Sequence, residues 1–200
     1  MKNYFLKIVL ILLVTLSLTG CTFIFQKGRR VDVEKISKLK NELSDLERAK
    51  ADLEDRLKQE ISDKDVQVQM AKNGLVITFV AEVLFDSGKA ELKQPSLEML
   101  NKVAQVLIDT VPDLSVGVEG HTDNQPIKYS GWKSNWELSS ARALSVVHYL
   151  QDEKKIDPFR LAAIGHGEYK PVESNDTKIG QQKNRRVEIV IHPQTTVKGR

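Results

Sequence analysis

The sequence contains little cysteine, and its positive and negative charges nearly balance. Its 200 residues contain one cysteine, Cys21, so no internal disulfide can stabilise the fold. Of the 30 basic residues, 28 remain against 27 acidic ones once Lys2 and Lys7 are removed with the N-terminal segment described below. This near balance excludes the basic groove of a nucleic-acid-binding protein, and we expect no nucleic-acid partner.

Motifs of catalysis are also missing. The sequence has no H-E-x-x-H, no G-x-S-x-G and no phosphate-binding loop, so we expect no enzyme activity, no cofactor and no metal site. The four histidines are scattered over separate predicted elements: His121, His148, His166 and His192. Because His121 and His166 each follow a predicted strand, a metal site joining two strand ends is conceivable. We expect instead that both are turn histidines bonded to the backbone.

The N-terminal segment has the form of a secretory signal. Its apolar run, residues 8–18, reaches about 16 Å as a helix, whereas the hydrocarbon core of a bilayer is about 30 Å thick. The run ends in Leu18-Thr19-Gly20-Cys21, which resembles a bacterial lipobox. We predict that residues 1–20 are a signal peptide, that Cys21 carries acyl chains, and that the chain is exported. Alternatively, the uncharged residues 8–25 form a spanning helix.

A charged segment follows the predicted lipidated linker, residues 21–32. Residues 33–65 are predicted to form a coiled-coil-like helical spacer because apolar residues recur at heptad spacing. These are Ile36, Leu39, Leu43, Leu46, Leu53 and Leu57. In a parallel homodimer, residues of like charge would lie opposite each other, which disfavours pairing. Pairing with a second copy and contact with another envelope protein therefore both stay open.

Residues 66–192 have the pattern of one globular domain, followed by a tail at 193–200. Four strands are predicted, at residues 75–85, 114–119, 161–164 and 187–191, and helices are predicted to begin near Pro95 and after Ser134. Ser134 and Glu137 fit a capping box, and Trp136 is expected on the buried face of its helix. The alternation predicts an α/β two-layer sandwich with a mixed four-stranded sheet and helices.

Two oppositely charged residues of this domain stand out. Asp123 follows the second predicted strand in a loop, and Arg142 lies at the border of the buried face of the helix that begins after Ser134. The two could form a structural ion pair. They could equally bind a zwitterion, because a carboxylate accepts from an ammonium and a guanidinium binds a carboxylate through two parallel hydrogen bonds.

Five motifs in order make the domain recognisable. They are Phe85-Asp86-Ser87-Gly88-Lys89-Ala90-Glu91-Leu92, Val118-Glu119-Gly120-His121-Thr122-Asp123, Leu138-Ser139-x-x-Arg142-Ala143, Gly165-His166-Gly167-Glu168-x-x-Pro171 and Asn184-Arg185-Arg186-Val187-Glu188-Ile189. From about residue 68 to 192 the chain resembles the OmpA-like C-terminal domain shared by OmpA, Pal and MotB proteins. The resemblance implies noncovalent binding to the diaminopimelate of the peptidoglycan stem peptide.

The resemblance also implies roles for individual residues. The family's Asp and Arg correspond to Asp123, expected to bind the ligand ammonium, and Arg142, expected to bind its carboxylate. Thr122, Phe85 and Asp86 are expected to line the pocket, with Asn135 as a backbone clamp. Two further residues are expected to brace loops: Asn184 and Arg186.

These features together predict a non-enzymatic lipoprotein at the periplasmic face of the outer membrane that tethers this membrane to the cell wall. The loop at residues 124–133 looks more like the MotB branch, so an inner-membrane-anchored MotB-like protein is the alternative, and a metal-dependent cell-wall hydrolase is a weaker one. A proton-conducting stator is excluded, since residues 4–31 contain no Asp or Glu to carry a proton.

Overall fold

The computed structural model describes residues 31–128 and 130–194, and the chain divides into two compact units, 1–42 and 43–200. In the first unit, residues 31–42 are helical, and their apolar side chains at Ile36 and Leu39 are exposed. The predicted signal peptide and Cys21 lie outside the described residues. Within those ranges, no helix is both long and apolar enough to cross a membrane.

The second unit contains helices and strands in alternation. Its helices are α1 (residues 43–56), α2 (Lys58–Ser62), α3 (Ala81–Leu84), α4 (Gln94–Asp109), α5 (Asn135–His148) and α6 (Lys178–Asn184). Its strands are β1 (Val66–Ala71), β2 (Gly74–Val80), β3 (Ser115–His121), β4 (Leu161–Gly165) and β5 (Arg186–His192). A π-helical turn at Tyr149–Glu153 extends α5, and a 3₁₀ turn at Pro158–Arg160 precedes β4.

The strands form one mixed sheet in the order β1-β2-β5-β3-β4. Only the β3–β4 pair is parallel within this sheet, and the crossover between these two strands contains α5. The predicted α/β class with a mixed sheet is confirmed, but the predicted count of four strands is wrong because β1 was missed. Its signals were the alternation of buried Val66 and Val68 with exposed Gln67, and the Asn73-Gly74 pair, where the two-residue turn Lys72-Asn73 meets β2.

The hydrophobic core includes part of the predicted spacer. Leu46, Leu53 and Leu57 are buried in the same cluster as sheet residues such as Ile77 and Ile189. This part of the heptad stripe therefore packs within the domain. The compact unit begins at residue 43 and includes residues 43–65, which the heptad pattern had assigned to the spacer.

Helix α5 lies close against the sheet and fixes the position of Arg142. Gly120 allows this approach, because a Cβ there would lie 2.0 Å from the carbonyl oxygen of Ser139. At the start of α5, Ser134 Oγ accepts from the Glu137 N–H at 3.4 Å, as the capping-box pattern predicts, while the Glu137 carboxylate accepts from the Lys133 N–H at 2.9 Å.

The expectation that Trp136 is buried is wrong. Its side chain is half exposed and stacks on Tyr169, with ring centroids 5.0 Å apart. The inner face of α5 is formed instead by other residues, among them Leu138, Ala143 and Val147.

Candidate functional site

A cavity of about 500 Å³ opens where four segments of the domain meet. These are the segment from α3 to α4, the loop after β3, the first half of α5 and the residue before β5. The structure brings all six ligand-binding candidates of the sequence to this cavity. They are Phe85, Asp86, Thr122, Asp123, Asn135 and Arg142.

Arg142 is a buried cation in the wall of this cavity. Its side chain is on the second turn of α5, and the residue is only 4% exposed. Its Nε donates to the carbonyl oxygen of Lys89 at 2.9 Å, and one terminal nitrogen lies 3.4 Å from the carbonyl oxygen of Asp86. Across residues 31–128 and 130–194, no carboxylate forms an ion pair with it. Since backbone oxygens satisfy only part of its five donors, the guanidinium can still bind an anion.

Burial lowers the pKa of Arg142 to about 10, with Glu82 and Asp123 raising it and Arg185 lowering it. The side chain is therefore still charged at neutral pH. The guanidinium carbon lies 5.2 Å from the centroid of the Phe85 ring, so a buried aromatic face supports the cation. A buried charge that lacks an ion-pair partner is costly to maintain, which favours a role in binding over a role in stability.

Asp123 is 6% exposed and is held by two donors. Its Oδ1 accepts from the Gln125 N–H at 3.1 Å, and its Oδ2 accepts from Arg185 Nη1 at 2.7 Å. Arg185 also donates through Nε to Glu82 at 2.6 Å, so it bridges two carboxylates at the cavity edge. Sequence reasoning missed Arg185, although it stands between Asn184 and Arg186 in the last motif.

Two polar residues complete the cavity wall beside Asp123. The backbone N–H of Thr122 donates to the carbonyl oxygen of Gly167 at 2.9 Å, while its buried hydroxyl finds no partner in the described part of the chain. Asn135 Nδ2 donates to the carbonyl oxygen of Gln125 at 3.0 Å and to the Glu168 carboxylate at 2.7 Å. The contact with Gln125 is that of a backbone clamp, whereas the contact with Glu168 joins two side chains.

Asp86 contributes mainly through its backbone. Its carboxylate is largely exposed and pairs with Lys89 at 3.2 Å, whereas its carbonyl oxygen lies beside the guanidinium of Arg142. A side-chain role for Asp86 in binding is therefore the weakest of the six.

The loop-bracing residues make the contacts expected of them. The side-chain oxygen of Asn184 accepts from the backbone N–H groups of Val172 and Glu173 at 2.8 and 3.0 Å. Arg186 donates to the carbonyl oxygen of Lys170 at 3.2 Å and to Glu188 at 2.6 Å. Both side chains hold the long loop after β4 against the start of β5.

Among the residues that the structure describes, neither the side chain of His121 nor that of His166 is hydrogen-bonded to the backbone, so that expectation is wrong. His166 Nε2 lies 2.7 Å from Glu119 Oε2, and the two imidazole rings stack with centroids 4.7 Å apart. Burial, and then the charges of Arg186 and His166, lower the pKa of His121 to about 3. Its ring is therefore neutral at neutral pH, and its 4.0 Å approach to Glu188 is not an ion pair. Neither histidine lines the cavity.

Comparison with known proteins agrees with this fold. Motility protein B of Bacillus subtilis (strain 168) is 38% identical over 149 residues, which are 74% of this chain and 57% of that protein. Probable lipoprotein YiaD of Escherichia coli (strain K12) is 34% identical over 140 residues, 70% of this chain and 61% of that protein. The chain thus spans less than two thirds of either relative.

A solved structure, described as the cell wall anchor of the T6SS from Pseudomonas aeruginosa, superimposes with a TM-score of 0.64. It is 33% identical, and the match covers 71% of this chain and 97% of that one. The model of the OmpA family matches residues 84–185, a range that contains both Asp123 and Arg142. The chain therefore belongs to the OmpA family and carries an OmpA-like peptidoglycan-binding domain.

Proposed function

We propose that this protein binds the diaminopimelate stem peptide of peptidoglycan noncovalently and tethers the outer membrane to the cell wall without catalysing a reaction. The observation that carries the proposal is the buried guanidinium of Arg142, which has no carboxylate partner among the described residues. It shares a cavity with the carboxylate of Asp123. A cavity with both charges in its wall is complementary to a ligand that carries an ammonium and a carboxylate.

The free amino-acid centre of diaminopimelate is such a ligand. Its carboxylate would accept from the remaining donors of Arg142, and its ammonium would donate to Asp123. Asp123 can take this further bond because a carboxylate has about four acceptor positions, of which Gln125 and Arg185 occupy two. The hydroxyl of Thr122 supplies a third polar contact.

The cavity also suits the size and polarity of this ligand. Its volume of about 500 Å³ falls within the usual range for small-molecule sites, and the ring of Phe85 beside Arg142 keeps part of the wall apolar. Charges in such a partly enclosed wall interact more strongly with a ligand than they would in open water.

The comparisons support anchoring as the use of this site. A structural relative at 33% identity is described as a cell wall anchor, and a sequence relative is named as a probable lipoprotein. The similarity to Motility protein B favours the alternative of an inner-membrane anchor for the same wall-binding domain. Both alternatives use the same pocket and differ in the membrane that holds the N-terminus.

The binding proposal is tested by sedimentation of the full-length chain with purified sacculi. We expect Arg142→Met and Asp123→Asn each to reduce the sedimented fraction about tenfold or more, because each removes a hydrogen bond to a charged group. Arg48→Ala is the matched control, because Arg48 is exposed on α1 and lies outside the cavity. Sacculi with lysine in place of diaminopimelate should sediment less of the parent protein, since lysine lacks the second carboxylate.

Undiminished sedimentation of Arg142→Met, with Arg48→Ala also unchanged, would contradict the proposed pocket. Release of soluble muropeptides by the purified parent protein, stopped by a chelator, would instead support the hydrolase alternative.

The lipid anchor is proposed from the lipobox-like sequence alone. We expect Cys21→Ala to abolish lipid labelling and to leave an unprocessed precursor, whereas sacculus binding should be unchanged. Fractionation of the labelled parent distinguishes the outer membrane from the inner one. Membrane attachment that persists without lipid labelling would identify residues 8–25 as an anchor helix.

A further inference from the structure

A second polar cluster lies at the end of β3, outside the cavity. Glu119 and His121 are two residues apart on this strand and therefore point to the same face of the sheet. His166 follows β4, whose last residue Gly165 pairs with Gly120 of β3. One donor atom from each of the three side chains lies within 4.8 Å of the other two.

His121 is the unusual member of this cluster. The residue is 3% exposed, and neither of its ring nitrogens has a hydrogen-bond partner among the described residues. Buried polar atoms are normally hydrogen-bonded, and an unpartnered one requires an explanation. A neutral imidazole carries one lone pair on a ring nitrogen, which is the donor that a metal ion requires.

The other two residues complete a compatible donor set. Glu119 and His166 already place a carboxylate oxygen and a ring nitrogen 2.7 Å apart. Glu188, directly opposite Glu119 on β5, is held by Arg186 at 2.6 Å, so its carboxylate is engaged elsewhere. Two imidazole nitrogens and one carboxylate oxygen form a ligand set that Zn²⁺ binds in proteins.

We propose that Glu119, His121 and His166 bind a divalent transition-metal ion of the Zn²⁺ class. The hydrogen bond between Glu119 and His166 would be replaced by a bond from each side chain to the ion. Ligand atoms on one tetrahedral Zn²⁺ ion lie roughly 3.3 Å apart, so small side-chain rotations bring the three donors into place.

Such an ion would join two neighbouring parts of the fold. Two of its ligands belong to β3, and the third belongs to the loop after β4. The same loop contacts the cavity wall, since the carbonyl oxygen of Gly167 accepts from the Thr122 N–H at 2.9 Å. Metal binding would therefore stabilise the loop after β4 against β3, and this role does not depend on the proposed wall binding.

The test uses the full-length chain after treatment with EDTA. Isothermal titration with Zn²⁺ should show one site per chain, and Zn²⁺ should raise the melting temperature. Co²⁺ should give the visible absorption of a tetrahedral site. His166→Gln should weaken Zn²⁺ binding at least about tenfold and remove the thermal shift. His148→Gln is the matched control, because His148 is exposed on α5.

Glu119→Gln provides a second variant that removes one ligand, should His166→Gln fail to fold. Cys21 is present in the parent and in every variant, so a difference in Zn²⁺ affinity between them comes from the cluster. Absence of stoichiometric Zn²⁺ binding to the parent would overturn the proposal. Equal affinity of the parent and of whichever ligand variant folds would overturn it as well.

Discussion

Two arginines of this domain show how contacts separate a structural residue from a binding residue. Arg160 donates to three carbonyl oxygens, those of Leu107, Val111 and Leu114, at 3.1, 2.7 and 2.9 Å. It thereby ties the end of α4 to the segment before β3. Arg142 makes one good backbone bond and one long one, and otherwise lines the cavity.

The two arginines should therefore respond differently to replacement by methionine. We expect Arg160→Met to lower the free energy of unfolding by about 2 kcal/mol, because three carbonyl groups lose their donor. Arg142→Met should change it by less than about 1 kcal/mol or raise it, since an apolar side chain of similar length removes a buried charge that forms no ion pair within the described part of the chain. Urea denaturation of the ligand-free proteins measures both values. An equal loss in the two variants would show that Arg142 is mainly structural.

Helical periodicity located the side chain of Arg142 correctly in the fold, whereas sequence reasoning did not single out Arg185. The position of Arg142 at the border of the buried face followed from helical periodicity, and the structure buries it beside the cavity. Arg185 contacts Asp123 across 62 residues of sequence, and its contact with Glu82 spans 103. Periodicity carries no information about such pairings, because they depend on how strands and loops meet in three dimensions.

At the scale of elements, α1 uses an apolar stripe for packing within the domain. Leu53 is fully buried in the core cluster, whereas Leu39, from the same heptad stripe, is 44% exposed in the helical segment of the first compact unit. Positions three and four residues apart lie on one face of any helix. The same spacing therefore fits a coiled coil and a helix that packs on its own sheet, and the sequence alone could not separate the two.

Because Leu53 is buried and Leu39 is exposed, replacement by alanine should have unequal effects at the two positions. We expect Leu53→Ala to lower the free energy of unfolding by about 2–5 kcal/mol, because it leaves a cavity in the core. Leu39→Ala is the matched control and should cost less than about 0.5 kcal/mol in the isolated monomer. Chemical denaturation at low protein concentration compares them. A large loss in Leu39→Ala that grows with protein concentration would reveal pairing between copies.

Strand prediction failed at β1 for a related reason. The segment follows a charged helix, and its exposed Gln67 and Gln69 make it less apolar than β2. As an edge strand it pairs on one side only, with β2, so it needs fewer apolar residues than a central strand. The Asn73-Gly74 pair at the end of the turn was its clearest signal, and Gly74, the first residue of β2, has a φ of 135° that other residues rarely adopt.

At the scale of the whole molecule, the domain boundary decides which fragments can be studied. A fragment of residues 66–200 matches the predicted domain start, but it lacks Leu46, Leu53 and Leu57 from the core. It also loses the ion pair between Glu60 and Lys102, whose atoms lie 2.6 Å apart. Each leucine removed from a core costs about 2–5 kcal/mol, and a typical domain has only about 5–15 kcal/mol of stability in total.

We therefore expect residues 43–200 to unfold cooperatively and residues 66–200 to lack a cooperative transition. Near-ultraviolet circular dichroism during urea denaturation tests this, because it reports fixed packing around the aromatic side chains. The stability of the fragments also affects how wall binding is tested. The shorter fragment contains all the lining residues of the cavity. If it fails to sediment with sacculi, the cause would therefore be lost folding. A cooperative transition of the shorter fragment at the same urea midpoint as 43–200 would show that α1 contributes nothing to the stability of the core.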